Sequence, residues 1–238
     1  MHPAARHSSI QGESLPTHTD RAVSSPHAEK IRPSGADRVC VIIPAFNVES
    51  SFGLVLGAMR DGLDETVVVD NGPTDCTAQV AARGGATIVT QPRRGYGSAC
   101  LAGLNYLRDR SPDIVVFIDG DFSDHPEEIP ALLEPIRKRG FDLVVGSRTL
   151  GRKDPGALLP HARLGNLLAV ILLRTLYRAR YTDLGPFRAA RYGKLMSLGM
   201  RDPDFGWTAE MQARAALAGW KTVEVPVSYR RRVGVSKI

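Results

Sequence analysis

Between residues 39 and 147, short apolar runs alternate with longer amphipathic segments, and this alternation restricts the possible fold more than any other feature of the chain. Five runs rich in β-branched residues have the length and composition of buried strands. They are "RVCVIIPAF", "ETVVVDNG", "ATIVTQP", "DIVVFIDGD" and "DLVVGSR". Segments with helical periodicity separate them. Strands that alternate with helices predict an α/β fold with a mostly parallel central sheet.

The first strand and the first helix can be placed in more detail. We expect Pro44 to break the first strand, because proline cannot donate a hydrogen bond within a sheet. The helix in "SSFGLVLGAMRDG" is expected to begin with a serine cap and to end at Gly62.

Polar side chains follow each of the five predicted strands. In an open parallel sheet the carboxyl ends of the strands lie along one crevice, which is where such sheets bind ligands. The residues are, in strand order, Asn47 and Glu49, Asp70 and Asn71, Arg93 and Arg94, Asp119 and Asp121, and Ser147 and Arg148. The sequence therefore predicts a polar ligand site along this edge of the sheet.

The fourth strand ends in two aspartates that one residue separates, Asp119 and Asp121. Carboxylates this close raise each other's pKa unless a cation or hydrogen-bond donors keep them ionised. Both can point at one hard cation such as Mg²⁺ or Mn²⁺, which would bridge two phosphates. A solvated turn is the alternative for an isolated pair. The buried strand before it and the proline-capped helix after it favour a metal site.

Charge and motifs limit the classes of ligand. The chain has 31 Lys and Arg residues against 25 Asp and Glu, a formal net charge of +6, and its arginines suit phosphate or carboxylate partners. Only this net charge favours nucleic acid, so we expect no nucleic-acid partner. There is no P-loop and no GxGxxG after the first strand, and the six histidines lack metal-ligand spacing.

Further features bear on the compartment. Residues 1–37 lack an apolar core and are rich in Ser, Pro, His and charge, which predicts a disordered leader and not a secretory signal. Cys40, Cys76 and Cys100 are widely spaced with no CxxC, so we expect them to be reduced and buried. These features predict a cytoplasmic protein.

The longest apolar run is "LGNLLAVILLRTLY", residues 164–177. It is too short to span a bilayer and contains Arg174. With Arg163, Arg178 and Arg180 at its ends, a helix here could lie at the cytoplasmic face of a membrane, where flanking arginines reach lipid phosphates. Packing in the core or at a dimer seam is the alternative.

Eight segments considered together carry a resemblance. They are "VIIPAFNVES", "VVVDNGPTDCT", "RRGYGSA", "FIDGDFSDHPEEIP", "VVGSR", "TDLGPFRA", "GWTAEM" and "VEVPVSYRRRVGVSKI". This combination resembles family 2 inverting glycosyltransferases with the GT-A fold, in particular the polyprenyl-phosphate (dolichyl-phosphate mannose or glucose synthase-like) branch. The resemblance implies a GT-A (Rossmann-like) sheet with helices on both faces over residues 38–238. It also implies a nucleotide-sugar and metal half, 38–150, and an acceptor half, 151–238.

The resemblance implies a cell-envelope hexosyltransferase that moves a hexose from a UDP- or GDP-sugar to a polyprenyl phosphate, with inversion and with Mg²⁺ or Mn²⁺. Asp119 and Asp121 would bind the metal. The nucleotide-sugar would contact Pro44, Asn47, Glu49, Asp70, Gly95 and Asp119. The acceptor or its phosphate would contact Arg148, Arg163, Trp207, Arg231 and Lys237.

Catalytic roles fall to Asp121, Arg148, Asp183 and Glu210. If the acceptor is a sugar hydroxyl, Asp183 or Glu210 would remove its proton. If it is a lipid phosphate, the nucleophile is already anionic and needs no base, and arginines position it instead. Asp183 could instead cap a turn, Glu210 could be a surface residue and Trp207 could be core.

Two departures from the family pattern keep other functions open. Val48 and Ser50 flank Glu49 where two consecutive acidic residues are common, and Ser123 stands where a glutamine often completes the metal shell. The alternatives are the same donor chemistry with a soluble or saccharide acceptor, and a sugar-nucleotide-binding protein without turnover.

Overall fold

The five predicted strands form, and two further strands join them in one sheet. The computed structural model describes residues 36–72 and 74–234. The strands are β1 (Val39–Ala45), β2 (Glu65–Asp70), β3 (Thr87–Thr90), β4 (Ile114–Phe117), β5 (Leu143–Ser147), β6 (Arg188–Arg191) and β7 (Thr222–Pro226). Their order is β3-β2-β1-β4-β6-β5-β7. Only β6 runs antiparallel to its neighbours, so the prediction of a mostly parallel α/β sheet is confirmed.

Helices cover both faces of this sheet. They are α1 (Glu49–Ala58), α2 (Thr77–Arg83), α3 (Tyr96–Tyr106), α4 (Ile129–Arg139), α5 (Pro160–Tyr177), α6 (Tyr192–Ser197) and α7 (Trp207–Leu217), with a short 3₁₀ turn at Pro126–Glu128 before α4. Alternate residues of a strand point to opposite faces. In β1, Cys40 and Ile42 therefore pack in the core beneath α3 and α7, while Val41 and Ile43 pack in the core beneath α1, α2 and α4.

Two local predictions were wrong. Pro44 does not break β1, which continues to Ala45. Ala45 accepts a hydrogen bond from Asn71 on the β2 side, so Pro44 faces the β4 side, where pairing with β1 has already ended and no amide donor is needed. Helix α1 begins at Glu49 and ends at Ala58, four residues before Gly62, and Val48 occupies its N-cap without a side-chain hydrogen bond.

Strand β6 and helix α6 were not predicted. β6 has the sequence "RAAR", so it lacks the apolar run that marks the other strands. Arg188 is nevertheless fully buried, and its guanidinium donates to the carbonyl oxygens of Leu184, Gly185 and Thr208. Backbone carbonyls thus supply the acceptors that a buried arginine needs, and they allow an arginine to occupy the middle of a sheet.

Other predictions have mixed outcomes. All three cysteines are free and Cys40 and Cys100 are buried, but Cys76 is exposed, so the expectation that all three are buried was wrong. The predicted leader lies outside the described residues except for Ala36 and Asp37. The part of the chain that the structure describes contains no helix with the length and apolarity required to cross a membrane.

Candidate active site

A cavity of about 930 Å³ opens at the carboxyl ends of β1, β2 and β4. It lies where the loops after these strands meet the segment before α7 and the residues after β7. Eight of the candidate residues predicted from the sequence line it: Pro44, Asn47, Glu49, Asn71, Arg94, Gly95, Asp119 and Asp121. The other predicted residues that the structure describes lie beside this cavity, behind it or away from it.

The loop from β1 to α1 forms one wall of the cavity. Asn47 has a left-handed backbone (φ 52°), and its side-chain amide pairs with Thr74, donating to Oγ1 at 2.6 Å and accepting from the backbone N at 3.0 Å. Glu49 opens α1, and its Oε2 accepts from the backbone N of Cys76 at 3.1 Å. These bonds join the loops that follow β1 and β2 into one wall.

The end of β2 and the start of α3 form the next wall. The side chain of Asn71 donates to the carbonyl oxygens of Gln91 and Arg93 and accepts from the backbone N of Gly95 at 2.8 Å. Gly95 has a φ of 136°, and a Cβ at this position would lie 2.2 Å from the carbonyl oxygen of Pro203. Only glycine fits here without displacing the backbone of that neighbouring segment.

Asp70 does not line the cavity, although it ends β2 beside residues that do. Its side chain is buried, and Oδ1 has no hydrogen-bond partner among the described residues. Burial, and after it the charge of Asp75, raise the pKa of Asp70 above its ordinary value. A buried carboxylate oxygen without a donor is costly, so the site is chemically suited to a ligand that donates a hydrogen bond.

Three aspartates come together after β4. Asp121 Oδ1 accepts from both the backbone N and the hydroxyl of Ser123, and the backbone N of Asp119 donates to Asp124. Burial and the carboxylates of Asp121 and Asp124 raise the pKa of Asp119 well above its ordinary value. Burial and Asp121 raise the pKa of Asp124 to about 7. The cluster therefore holds more carboxylates than its surroundings keep ionised.

These carboxylates fit a hard divalent cation. Asp119 and Asp121 face the cavity with the oxygen ligands that Mg²⁺ and Mn²⁺ prefer, and Oδ1 of the buried Asp124 has no hydrogen-bond partner in the described part of the chain. Within the same residues, no group of three or more His, Cys, Asp and Glu is arranged as a complete metal site. The protein offers two facing ligands, which leaves positions for water and for a ligand's phosphates.

Arg148 and Asp183 form a buried ion pair next to the three aspartates. Asp183 accepts from the backbone N of Arg148 at 2.7 Å, from Nε at 2.8 Å and from Nη2 at 2.7 Å. Burial lowers the pKa of Arg148, but these hydrogen bonds and the charge of Asp183 more than offset that effect and raise it. The charge of Arg148 also lowers the pKa of Asp119 and Asp124, against the larger effects that raise both.

Glu210 organises the segment that leads into α7. Its carboxylate accepts from the backbone N of Arg201 and of Asp202 and pairs with Arg214 at 2.7 Å. Burial raises the pKa of Glu210, but these donors outweigh burial and lower it below its ordinary value. Glu210 does not line the cavity, and a carboxylate with a lowered pKa and several donors is a poor proton acceptor.

Trp207 is a core residue in this structure. The side chain has no exposed surface, and its ring packs edge-on against Phe117 at 4.8 Å and Tyr96 at 6.1 Å between ring centres. The expectation that Trp207 contacts the acceptor is therefore corrected. Its bulk supports β4 and α3 from behind the cavity.

The arginine run after β7 points in several directions, because successive side chains of an extended segment alternate. Arg232 lines the cavity, with Nε 3.7 Å from Asp121 Oδ2. Arg231 is exposed and donates to the carbonyl oxygen of Pro155, so the expectation that Arg231 faces the site is corrected in favour of Arg232. Arg230 stacks on Phe122 at 3.7 Å.

Of two further predicted acceptor residues, one lies away from the cavity and the other is not described. Arg163 is exposed on α5 and does not line the cavity. Lys237 lies outside the described residues.

Sequence reasoning missed Phe46 and Phe205 in the cavity wall, whereas Arg94 was among the residues predicted at this edge. The guanidinium of Arg94 lies 5.0 Å from the ring centre of Phe46, and both residues line the cavity, as does the largely exposed Phe205. The position of Phe46 could have been predicted, because it directly follows β1, and residues that follow a parallel strand lie at the ligand-binding edge of the sheet. Phe205 and Arg232 lie in irregular segments, where no periodicity indicates direction.

The comparison with known protein families decides the identity. The profile of Glycosyl transferase family 2 matches residues 40–199, which contain the three aspartates and the Arg148–Asp183 pair. The chain belongs to glycosyl transferase family 2. It is therefore a glycosyltransferase, and its sheet is a GT-A fold.

Individual relatives of this family 2 glycosyltransferase are similar over most of their length. An uncharacterized glycosyltransferase of Mycobacterium tuberculosis is 43% identical over 83% of this chain and 88% of its own. The undecaprenyl-phosphate mannosyltransferase of Micrococcus luteus is 33% identical over 84% and 87%. Glucosyl-3-phosphoglycerate synthase of M. tuberculosis, crystallised with Mn²⁺, uridine diphosphate and glucosyl-3-phosphoglycerate, superposes with a TM-score of 0.67 at 26% identity, covering 87% of this chain and 79% of the synthase.

Proposed function

We propose that this family 2 glycosyltransferase moves a hexose from a UDP- or GDP-sugar to a polyprenyl phosphate, with inversion at the anomeric carbon and with Mg²⁺ or Mn²⁺. One observation carries the choice of acceptor: both carboxylates that the sequence suggested as a base, Asp183 and Glu210, are held by arginine and amide donors. An acceptor that arrives as a phosphate anion needs no base.

On the donor side, the cavity that Pro44, Asn47, Glu49 and Gly95 line would take the nucleoside, with Asp70 as an acceptor behind it. The volume of about 930 Å³ suits a nucleotide-sugar. Asp119 and Asp121 would hold the cation. When bound, the cation would neutralise charge on the departing diphosphate.

The protein's own charges would assist the same departure. Arg232 lies beside Asp121 at the cavity wall, where its guanidinium is placed to approach the diphosphate. Oriented cations of this kind stabilise charge that develops on a leaving group. We therefore assign a diphosphate contact to Arg232, in place of the phosphate contact that the sequence had suggested for Arg231.

On the acceptor side, Arg148 is fixed in direction by Asp183 and stays charged at every physiological pH. It would position an acceptor phosphate close to the three aspartates. The named activity of the M. luteus relative supports a lipid phosphate. We further propose that residues 38–150 form the donor half and residues 151–238 the acceptor half, with Arg232 reaching from the acceptor half into the donor cavity.

A soluble phosphorylated acceptor is the second candidate. The superposition on a synthase that was crystallised with glucosyl-3-phosphoglycerate favours it. In that case the nucleophile is a hydroxyl and a base is required, which the engaged Asp183 and Glu210 do not readily provide.

Radiolabelled transfer separates these proposals. UDP- and GDP-hexoses are each incubated with the protein, Mn²⁺ or EDTA, and either a polyprenyl phosphate in detergent or 3-phosphoglycerate. We expect label in the organic phase, loss with EDTA, and loss in Asp121→Asn but not in Asp109→Asn, an exposed aspartate that does not line the cavity. Label only in the aqueous product would establish the second candidate. Donor binding without any transfer would refute both.

A further inference from the structure

Helix α5 carries its apolar side chains on the outside. Within the helix, Leu173 is the only buried residue, and Asn166, Ala169 and Val170 share its face at helical spacing. The opposite face is apolar as well. Six large side chains on the rest of the helix are between 46% and 68% exposed: Leu164, Leu167, Leu168, Ile171, Leu172 and Leu176. The first four of them lie opposite Leu173.

An exposed apolar face of this size indicates that another surface covers it. Monomeric soluble proteins rarely expose a continuous apolar patch of this kind, and those that do usually use it for contact with a protein or a membrane. Leu164, Leu168 and Ile171 lie one and two turns apart along the same side, so they form a stripe and not scattered residues.

The charges around the stripe indicate which occupant fits. From Pro155 to Thr182 the chain has four arginines and no acidic residue: Arg163, Arg174, Arg178 and Arg180, all of them exposed. A helix with an apolar stripe and arginines beside it matches those that lie in the interface of an anionic bilayer, with guanidinium groups reaching the lipid phosphates. A symmetric pair of copies would instead bring these like charges together.

We propose that α5 is a membrane-surface helix, which inserts the stripe into the headgroup region of an anionic bilayer while its arginines contact lipid phosphates. This contact would bring the enzyme to the membrane that contains the proposed lipid-phosphate acceptor. Only this purpose of the contact rests on the proposed function. The evidence for the contact is the exposed apolar stripe and the presence of arginines without acidic residues around it. Neither observation depends on the reaction.

The orientation would place the active site at the membrane. On the inner side of α5, Asn166 donates to the carbonyl oxygen of Thr182 at 3.1 Å and accepts from the backbone N of Leu184 at 2.9 Å. Asp183 lies between Thr182 and Leu184 in the sequence and forms the ion pair with Arg148. The helix is therefore hydrogen-bonded to the segment that fixes the proposed phosphate-binding arginine.

Flotation of the full chain with vesicles tests the inference. We use phosphatidylcholine alone and with about one third phosphatidylglycerol, without donor, metal or acceptor. We expect binding to the anionic vesicles, a loss of at least about tenfold in Leu168→Ser with Ile171→Ser, and unchanged binding in Leu54→Ser with Leu217→Ser, two leucines on α1 and α7 that are also exposed. Arg174→Gln with Arg180→Gln should remove the preference for anionic lipid.

The outcomes are distinct. Equal binding of the stripe variant and its control, or no binding by the unaltered chain, would overturn the inference. A dimer in light scattering that the stripe variant dissolves, without vesicle binding, would also overturn it and assign the face to a second copy. Transfer to a polyprenyl phosphate in detergent is measured separately. If transfer persists but the protein does not float with vesicles, the proposed function stands and the membrane contact is wrong. If the protein floats with vesicles but transfer is absent, the membrane contact stands and the proposed function is wrong.

Discussion

Breaking the Arg148–Asp183 pair from one side is expected to cost about 3 to 5 kcal/mol of stability. Asp183 is 1% exposed and Arg148 13% exposed, so neither group recovers hydration when its partner is lost. Three donors on Arg148 reach the carboxylate at 2.7 to 2.8 Å. Asp183→Asn keeps the shape but leaves a buried guanidinium without its counter-charge, and Arg148→Met leaves a buried carboxylate.

Equilibrium urea unfolding of both single variants and the double variant measures the coupling. We expect the double variant to lose about 2 kcal/mol less than the sum of the two single variants, because its two changes remove the pair as a unit. For a domain of this size each kcal/mol corresponds to about 2 to 4 °C in Tm. The exposed pair Lys138–Glu134, at 3.2 Å, is the control and should show a coupling below about 0.5 kcal/mol.

The assignment of Asp183 as the partner that fixes Arg148 would be refuted by two results together. Each single variant would lose less than about 1 kcal/mol of stability, and the losses would add in the double variant without coupling. Turnover provides a second check. If Asp183 were the base for a hydroxyl acceptor, Asp183→Asn would also lower kcat for transfer to that acceptor by about 10² to 10⁴.

Three further outcomes are expected. Because the pKa of Glu210 is lowered, its stabilising effect is complete above its ordinary pKa of 4.5 and is lost as pH falls through the lower value in the folded protein. Glu210→Gln should therefore destabilise the protein by about 1 kcal/mol in urea at pH 7 and by little near pH 3. Gly97→Ala should cost about 1 to 3 kcal/mol, because its Cβ would lie 2.1 Å from the carbonyl oxygen of Asp202, whereas Gly193→Ala has open space and should be neutral or stabilising in the same thermal melt. In the native protein, a water-soluble thiol reagent should modify Cys76 alone, since burial raises the pKa of the other two thiols.

Buried strands were the most predictable part of the fold. Runs such as Val115–Phe117 are apolar on both faces because helices cover both sides of the sheet, and this composition is visible in the sequence. Strand β6 could not be found in this way. Its buried Arg188 is stabilised by carbonyl oxygens of Leu184, Gly185 and Thr208, and these partners exist only once the chain has folded.

The site was predictable where a strand supplies the direction of a side chain. Asp119 and Asp121 follow β4 directly, so their location at the ligand edge follows from strand polarity. Beyond the strands, direction depends on tertiary contacts. Arg231 and Arg232 are equivalent as sequence, but a hydrogen bond to Pro155 draws the first outward and the carboxylate of Asp121 attracts the second.

The roles of Arg148 and α5 constrain each other. A soluble acceptor can approach an arginine from any direction that the cavity allows, whereas a lipid phosphate stays within the headgroup layer of its membrane. An arginine that serves such an acceptor must therefore be held at a fixed depth relative to the bilayer. Asn166 bonds α5 to the segment around Asp183, and Asp183 fixes the guanidinium of Arg148. This connection would set that depth.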